Sequence, residues 1–366
     1  MIALLAAVLM QESGLWDLDT LLGVPEIHGV RFTLAYTGEV ISNVHGGVRR
    51  DTGVDHLLDL VVDADLEKAL GWDGGSARVN PMWLAGDGVA GDVGDLTLVS
   101  NITGRGGVRL FEAWIQQSVG GLFSLRAGIL AADQEFILTG SGPLCFNSVF
   151  GGPVFLSPNL AWPIYPVGAP GARARFELGE GLYVQGAVYD GQPGSEEFNR
   201  TGLKIRLSDS EGLFMIAEAG WTVGDFTVKA GGFHHTVSDI SGGFAVVEGK
   251  IASGVDAFTR VGCSEEAKSL VWLGLDAGLN VTGLIPGRPS DVLGIGVVYA
   301  RISRDFARTQ PDRALWGHET VLELTYKIVV TKWWSLQPDL QYVVHPGGST
   351  ATPNAVVVGF RVDLLF

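Results

Sequence analysis

The sequence predicts an all-β fold, a closed antiparallel transmembrane β-barrel of about 16 strands, and three observations carry that prediction. Apolar side chains recur at every second position in segment after segment, opposite a face of charged and amide side chains. A period of two marks an extended strand with one oily side. Hydrophobic residues fill 46% of the 366 positions, yet no run reaches the roughly 18 to 20 apolar residues of a membrane helix. Short turn-like gaps alternate with long loops, and the count of candidate strands is even, as a closed antiparallel barrel requires.

HGVRFTLAYTGEV, at 28–40, opens the series, with Phe32, Leu34 and Tyr36 on one side and Arg31, Thr33 and Glu39 on the other. The same reading places strands at 29–43, 54–69, 76–85, 109–119, 121–131, 171–179, 181–190, 211–221, 225–235, 243–251, 254–262, 269–280, 290–302, 318–330, 332–344 and 354–366. In RLFEAWIQQSVGGLFSLRAGIL (109–130) the apolar face holds Phe111, Ala113, Ile115, Phe123, Leu125 and Ile129. Glu112, Trp114, Gln116, Ser118, Ser124 and Arg126 face the other way. A three-residue turn at 119–121 would set Trp114 opposite Arg126 and Gln116 opposite Ser124. The next hairpin, ARARFELGEGLYVQGAVYD, turns Arg173, Arg175, Glu177, Tyr183 and Gln185 inward, with Glu177 across from Tyr183 and Arg175 across from Gln185.

Towards the end of the chain, TVLELTYKIVV (320–330) sets Leu322, Leu324, Tyr326 and Ile328 against Glu323, Thr325 and Lys327. KWWSLQPDLQYVV (332–344) sets Trp334, Leu336, Leu340, Tyr342 and Val344 against Trp333, Ser335, Gln337, Asp339 and Gln341. NAVVVGFRVDLLF carries Val356, Val358, Phe360, Val362, Leu364 and Phe366 on one face. A long apolar edge of that kind aggregates in water unless the sheet closes and the oily face meets lipid. A soluble sandwich would bury the same face against a second sheet. Paired charges on the polar face, and Trp333, Trp334 and Tyr342 at strand ends, favour the membrane barrel.

Composition narrows the function. A net charge of −15 argues against a nucleic-acid partner. No HExxH, no H-x₃₋₅-H pair, no G-x-S-x-G elbow and no phosphate-binding loop occurs, so neither an enzyme, a metal site nor a cofactor is expected. The two cysteines, Cys145 and Cys263, have no ligand spacing and are read as unpaired thiols. MIALLAAVLM is read, within 1–11, as a shortened secretory signal without a basic n-region, ahead of a single barrel domain over 12–366; the alternative is a leader that stays attached. The 52 glycines read as turns and tight strand positions, and the glycine-rich stretch 70–108 as part loop or plug. The inward mixture of aromatic, Arg, Glu and Gln side chains suits either the C–H face and hydroxyls of a pyranose or an ordinary porin wall with a transverse field.

SLQPDLQYVVHPGG (335–348) followed by AVVVGFRVDLLF resembles the C-terminal block of the carbohydrate-selective porin (OprB) family of bacterial outer membranes. FEAWIQQ (111–117), LRAGILAADQEF (125–136), FNSVFG (146–151), GVDAFTRVG (254–262) and GRPSDVLGIGVVYARIS (287–303) follow the family order. The resemblance spans residues 15 to 366. It implies a sixteen-stranded outer-membrane barrel narrowed by an inward loop, here 132–170, and passive, sugar-favouring diffusion with no cofactor. Asp133, Glu135, Phe136, Phe146 and Asn147 lie on the family-like pieces of that loop. Glu112 and Trp114 are carried over by motif as pore-lining residues; Arg126, Arg173, Arg175 and Glu177 follow by their facing. The implied partners are sugars, outer-membrane lipid and the barrel assembly machinery, which would read Phe366; a homo-oligomer is left open. The alternative is a general or cation-preferring porin with Asp59, Asp63, Asp65 and Glu67 at its mouth.

Overall fold

The computed structural model describes residues 26–194, 197–205, 208, 210–309 and 315–366; the expected signal at 1–11 lies outside them. Among the described residues sixteen strands follow in chain order: β1 (Val30–His45), β2 (Asp51–Asp65), β3 (Gly75–Gly86), β4 (Gly107–Val119), β5 (Phe123–Leu130), β6 (Ala169–Gly179), β7 (Leu182–Asp190) and β8 (Leu213–Val223) form the first half. β9 (Phe226–His235), β10 (Ile240–Ala252), β11 (Val255–Ser264), β12 (Val271–Thr282), β13 (Val292–Ile302), β14 (His318–Thr331), β15 (Trp334–Val344) and β16 (Ala355–Leu365) complete it. Each pairs antiparallel with the next, and β16 returns to β1, so the sheet is a closed barrel. At the seam Ala35 faces Leu365 and Asn43 faces Val357. Phe366 N–H donates to the Leu34 carbonyl at 2.7 Å, and Leu34 N–H to that of Phe366 at 3.1 Å. Closure satisfies the backbone groups that lipid cannot.

The alternation places each side chain as expected on most strands. On β16 Val358 and Phe360 are exposed while Val357 and Arg361 are buried, and on β14 Leu322 and Leu324 are exposed around a buried Glu323. Tight turns at 120–122, 180–181, 224–225, 253–254 and 332–333 close one end. At the other end, long connections leave at 87–106, 131–168, 191–212 and 303–317. In outer-membrane barrels the long loops face the exterior. Cys145 is buried and Cys263 exposed, both as free thiols.

Three local expectations are corrected. The β4–β5 turn is one residue later than read: Val119 pairs with Phe123, so Gln116 faces Arg126 and Ser118 faces Ser124, while Trp114 faces Gly128. Gly120 and Gly121, at φ +57° and +68°, place the tight bend there, because glycine carries no Cβ penalty in that region. In the following hairpin Glu177 faces Tyr183 and Arg175 faces Gln185, as read. Phe111, read as lipid-facing, points inward and is buried with Leu57, Met82, Leu84 and Ile102. The cause is a bulge: Asn80 pairs with Glu112 and Pro81 with Leu110, leaving Phe111 as the extra residue. Trp333, read as inward, lies exposed in the turn before β15.

Candidate functional site

The barrel interior is occupied by two of the long connections. The first, 87–106, is the last part of the glycine-rich stretch; the rest of that stretch forms a turn and β3. The second, 131–168, is the inner loop, ending at 168 because β6 takes up Ala169. Its aromatic side chains rest on bare backbone. Gly262 and Gly274 pair directly across β11 and β12, and a Cβ on Gly262 would enter the Phe155 ring. Gly296 lies likewise beneath Phe150, and Gly294 beneath Leu144. Glycines facing inward thus make a floor flat enough for rings to pack on the sheet.

Charged wall residues hold the loop by its main chain. Glu218 accepts from Ile137 N–H at 2.8 Å, Glu248 from Gly140 N–H at 2.5 Å and Glu112 from Ala131 N–H at 3.3 Å. Glu323 accepts from the N–H groups of Phe146 and Asn147, the latter at 3.1 Å. Cations and amides take the carbonyls: Lys229 donates to Leu138 O at 2.8 Å, and Gln337 to Leu144 O at 2.7 Å. Arg260, buried beside Asp276 at 2.9 Å, donates to Ile137 O at 2.9 Å and to Val149 O.

The expected site residues divide into two groups. Arg126 and Arg173 converge on one carboxylate and one amide: Arg126 donates to Glu135 at 3.2 Å and to Gln116 at 3.0 Å, and Arg173 to Glu135 at 2.5 Å and to Gln116 at 2.9 Å. The Arg126 guanidinium lies 3.7 Å from the centre of the Trp114 ring, and Arg78, paired with Asp63 at 2.7 Å, approaches the same ring at 5.5 Å. Arg175 bonds Glu177 at 2.5 Å and stacks on Tyr183 at 3.7 Å; the Tyr183 hydroxyl donates to Glu218 at 2.7 Å. Arg175 and Glu177 keep 32% and 45% of their side-chain surface exposed, whereas Arg173 and Glu135 keep only 5% each.

The second group is packed between loop and wall. Phe136 is buried with Trp162 and Phe214. Phe146 lies under the Arg361 guanidinium, 3.8 Å from its ring centre, and Arg361 in turn bonds Glu39 at 2.6 Å and Asn101 at 2.8 Å. Asn147 bonds Thr97 and Gln341, each at 3.3 Å. Asp133 accepts from Tyr165 N–H at 3.2 Å, and burial pushes its carboxyl up to about 6. Glu112 is buried as well. Nor do the four acids of the alternative reading meet at a mouth. Asp59 is buried against Asn80, Asp63 pairs with Arg78, Asp65 caps a short helix and Glu67 is exposed on it. Arg78, Glu218, Glu248, Arg260 and Arg361 were missed, although inward parity on their strands was a signal for each.

The first connection is seated on the loop and on the wall. Leu96 N–H donates to Glu319 at 2.9 Å, Gln341 to Val99 O at 2.7 Å, and Ser148 N–H to Leu98 O at 2.9 Å. Asp95 is half-buried here with the Thr97 hydroxyl 3.3 Å away, and desolvation raises its carboxyl to about 7. Its ordinary value is near 3.9, so the docked segment binds a proton that the released one gives up. Docking therefore weakens as pH rises from about 4 towards about 7. Protease cleavage within 87–106 should accelerate several-fold across that window in the intact barrel and lose this dependence in Asp95→Asn; an unchanged profile in the variant would refute the assignment.

A family model described as carbohydrate-selective porin, OprB family, matches residues 49–229 and 222–366. The chain belongs to that family. Porin B of Pseudomonas aeruginosa is 25% identical over 404 residues, covering 92% of this chain and 88% of that protein. The putative porin QuiX of Acinetobacter baylyi is 21% identical over 401 residues, covering 93% and 90%. In fold, this OprB-family porin superposes on the high pH structure of Pseudomonas putida OprB with a TM-score of 0.83 at 23% identity, covering 95% and 96% of the two chains. For the low pH structure of the same protein the score is 0.63 at 21% identity, covering 95% of each. As an OprB-family member the chain is an outer-membrane porin, a channel and not an enzyme.

Proposed function

We propose that sugars cross this OprB-family barrel along the side of the lumen where Trp114, Arg126, Arg173, Arg175, Glu177 and Glu135 meet, with the inner loop as the constriction. One observation carries the reading: the Arg126 guanidinium sits 3.7 Å above the Trp114 ring while its nitrogens bond Glu135 and Gln116. The guanidinium covers the ring face, so the Trp114–Arg126 stack presents a pyranose with planar donors and an aromatic edge, next to the half-exposed Arg175 and Glu177. Three arginines face two glutamates in the cluster, so most of its charge is paired internally, and each contact is weak enough to release the solute. Asp133, Phe136, Phe146, Asn147 and Glu112 then act by holding the loop that sets the width.

Liposome swelling tests this. Glucose should enter faster than a neutral amino acid of similar size and faster than a small organic anion. Trp114→Ala and Arg126→Ala should lower that preference several-fold while leaving the barrel folded. Rates ranked by size alone would make this chain a general porin. Phe366, bonded to Leu34 at the seam, is assigned as the residue read by the barrel assembly machinery. Its deletion should deplete the heat-modifiable folded form in membranes, and an undiminished folded form would exclude the role.

A further inference from the structure

The outer face of the barrel carries a second polar feature, on the rim from which the long loops leave. A recess of about 430 Å³ is lined there by Glu266, Trp272, Arg301, Arg304, Asp305 and Arg308. Arg301 is on β13 next to the inward-facing Ala300, so its side chain projects outward, away from the lumen. Trp272 is the extra residue of a bulge between Val271 and Leu273 at the start of β12, and it lines the same recess. The aromatic and histidine rings of Tyr299, Trp316, His318 and His345 form a contiguous group beside Arg301. Trp316 stacks on His345 at 4.5 Å, His318 lies 4.8 Å from His345, and Tyr299 lies 5.5 Å from His318. Such a belt marks the level of the lipid headgroups.

The charges in the recess are not all spent. Arg308 pairs with Asp305 at 2.8 Å. Glu266 is engaged by the backbone N–H of Arg304 at 3.4 Å, not by its guanidinium. Arg301 donates to the Tyr299 hydroxyl at 3.2 Å. Among the described residues neither the Arg301 nor the Arg304 guanidinium has a carboxylate partner. Their placement is built: Ser303, fully buried, donates to Glu266 O at 2.7 Å and accepts from Asp305 N–H at 3.2 Å and Phe306 N–H at 3.1 Å, which holds the short helix Arg304–Thr309 against the strand end. In a chain of net charge −15, two guanidinium groups with no carboxylate partner among the described residues, at headgroup level and with an indole beside them, are a specific complement to a phosphate.

We propose that this recess binds the phosphorylated headgroup of an outer-leaflet lipid. Arg301 and Arg304 take the phosphate oxygens through their planar donor forks, and Trp272 packs on the adjoining apolar part of the lipid. The site lies outside the lumen, so it tethers the barrel in its leaflet and leaves solute passage untouched.

Native mass spectrometry of the full-length folded barrel in detergent tests this with bisphosphorylated lipid A, its dephosphorylated form and inorganic phosphate as probes. Lipid A should be retained by the unaltered chain and lost by about tenfold or more in Arg301→Gln/Arg304→Gln, while glucose-driven swelling stays the same. The dephosphorylated lipid should bind the unaltered chain as poorly as lipid A binds the variant. Equal retention of lipid A by the variant, or of the dephosphorylated lipid by the unaltered chain, would overturn the proposal. Complete displacement of lipid A by millimolar inorganic phosphate would also overturn it, leaving a free-anion site. Should the double variant fail to fold, Arg304→Gln alone, on the exposed helix, carries the same reading.

Discussion

Arg260→Ala is expected to release the inner loop and raise single-channel conductance several-fold in a barrel that still folds. Arg260 is 1% exposed, and its three nitrogens are committed to Asp276, to Ile137 O and to Val149 O. Removing it strands the Asp276 carboxylate without its cation, a loss of about 3–5 kcal/mol when one partner of a buried pair goes. Two loop carbonyls lose their donor as well, at about 1–3 kcal/mol each if they stay buried. The loop yields before the wall does, because the wall keeps its ladder of backbone hydrogen bonds and the loop has no ladder of its own. One residue stores tension already: Ile137 sits at φ +62°, a conformation a β-branched residue avoids. It is held there by Glu218 on its N–H and Arg260 on its carbonyl. Planar-bilayer recordings should show larger and noisier openings, with Arg260→Lys intermediate because one charge remains. Wild-type conductance in Arg260→Ala would mean that the loop is seated without this clamp.

Gly262→Val should open the same constriction by steric force alone. Gly262 lies near the end of β11 opposite Gly274, with no positive φ to demand glycine. Valine is therefore compatible with the strand itself, and β-branched residues favour it. Its side chain, however, would occupy the space of the Phe155 ring, whose atoms are the three nearest to the added Cβ. Phe155 is 1% exposed and stacks near Phe233 at 6.4 Å, so it cannot slide sideways. Overpacking of this kind costs about 1–3 kcal/mol, enough to shift the loop population by roughly tenfold. The expected result is loss of sugar preference in swelling assays with nearly unchanged thermal stability of the barrel. Phe155→Ala placed on the Gly262→Val background should restore part of the fit. A variant that retains the full preference would show that the glycine floor does not set the constriction.

These two residues also mark where reading the sequence stops. Alternation located all sixteen strands to within a few residues and sorted most side chains, because each strand independently separates lipid from water at a period of two. Leu322 and Glu323, or Phe360 and Arg361, need no knowledge of their neighbours to be assigned a face. The β6–β7 register was equally local, following from the Gly179–Gly181 turn that pairs Arg175 with Gln185. The β4–β5 register was not, since a shift of the turn by one residue moves Trp114 from Arg126 to Gly128. Phe111 turned inward because the facing Pro81 brings a bulge that only strand pairing defines.

The division of the inward charges was the least legible part. Glu112, Glu323 and Arg260 share a parity with Arg175 and Glu177, and nothing in their own strands tells a clamp from a wet pore wall. That difference depends on which backbone segment lies over each one, and the inner loop reaches them from as many as 177 positions away in the chain, as between Phe146 and Glu323. The barrel, the facing of most side chains and the family all follow from the order of residues along the chain. Which charges stay in water depends on long-range packing, because desolvation is set by the loop that covers a residue and not by the strand that carries it.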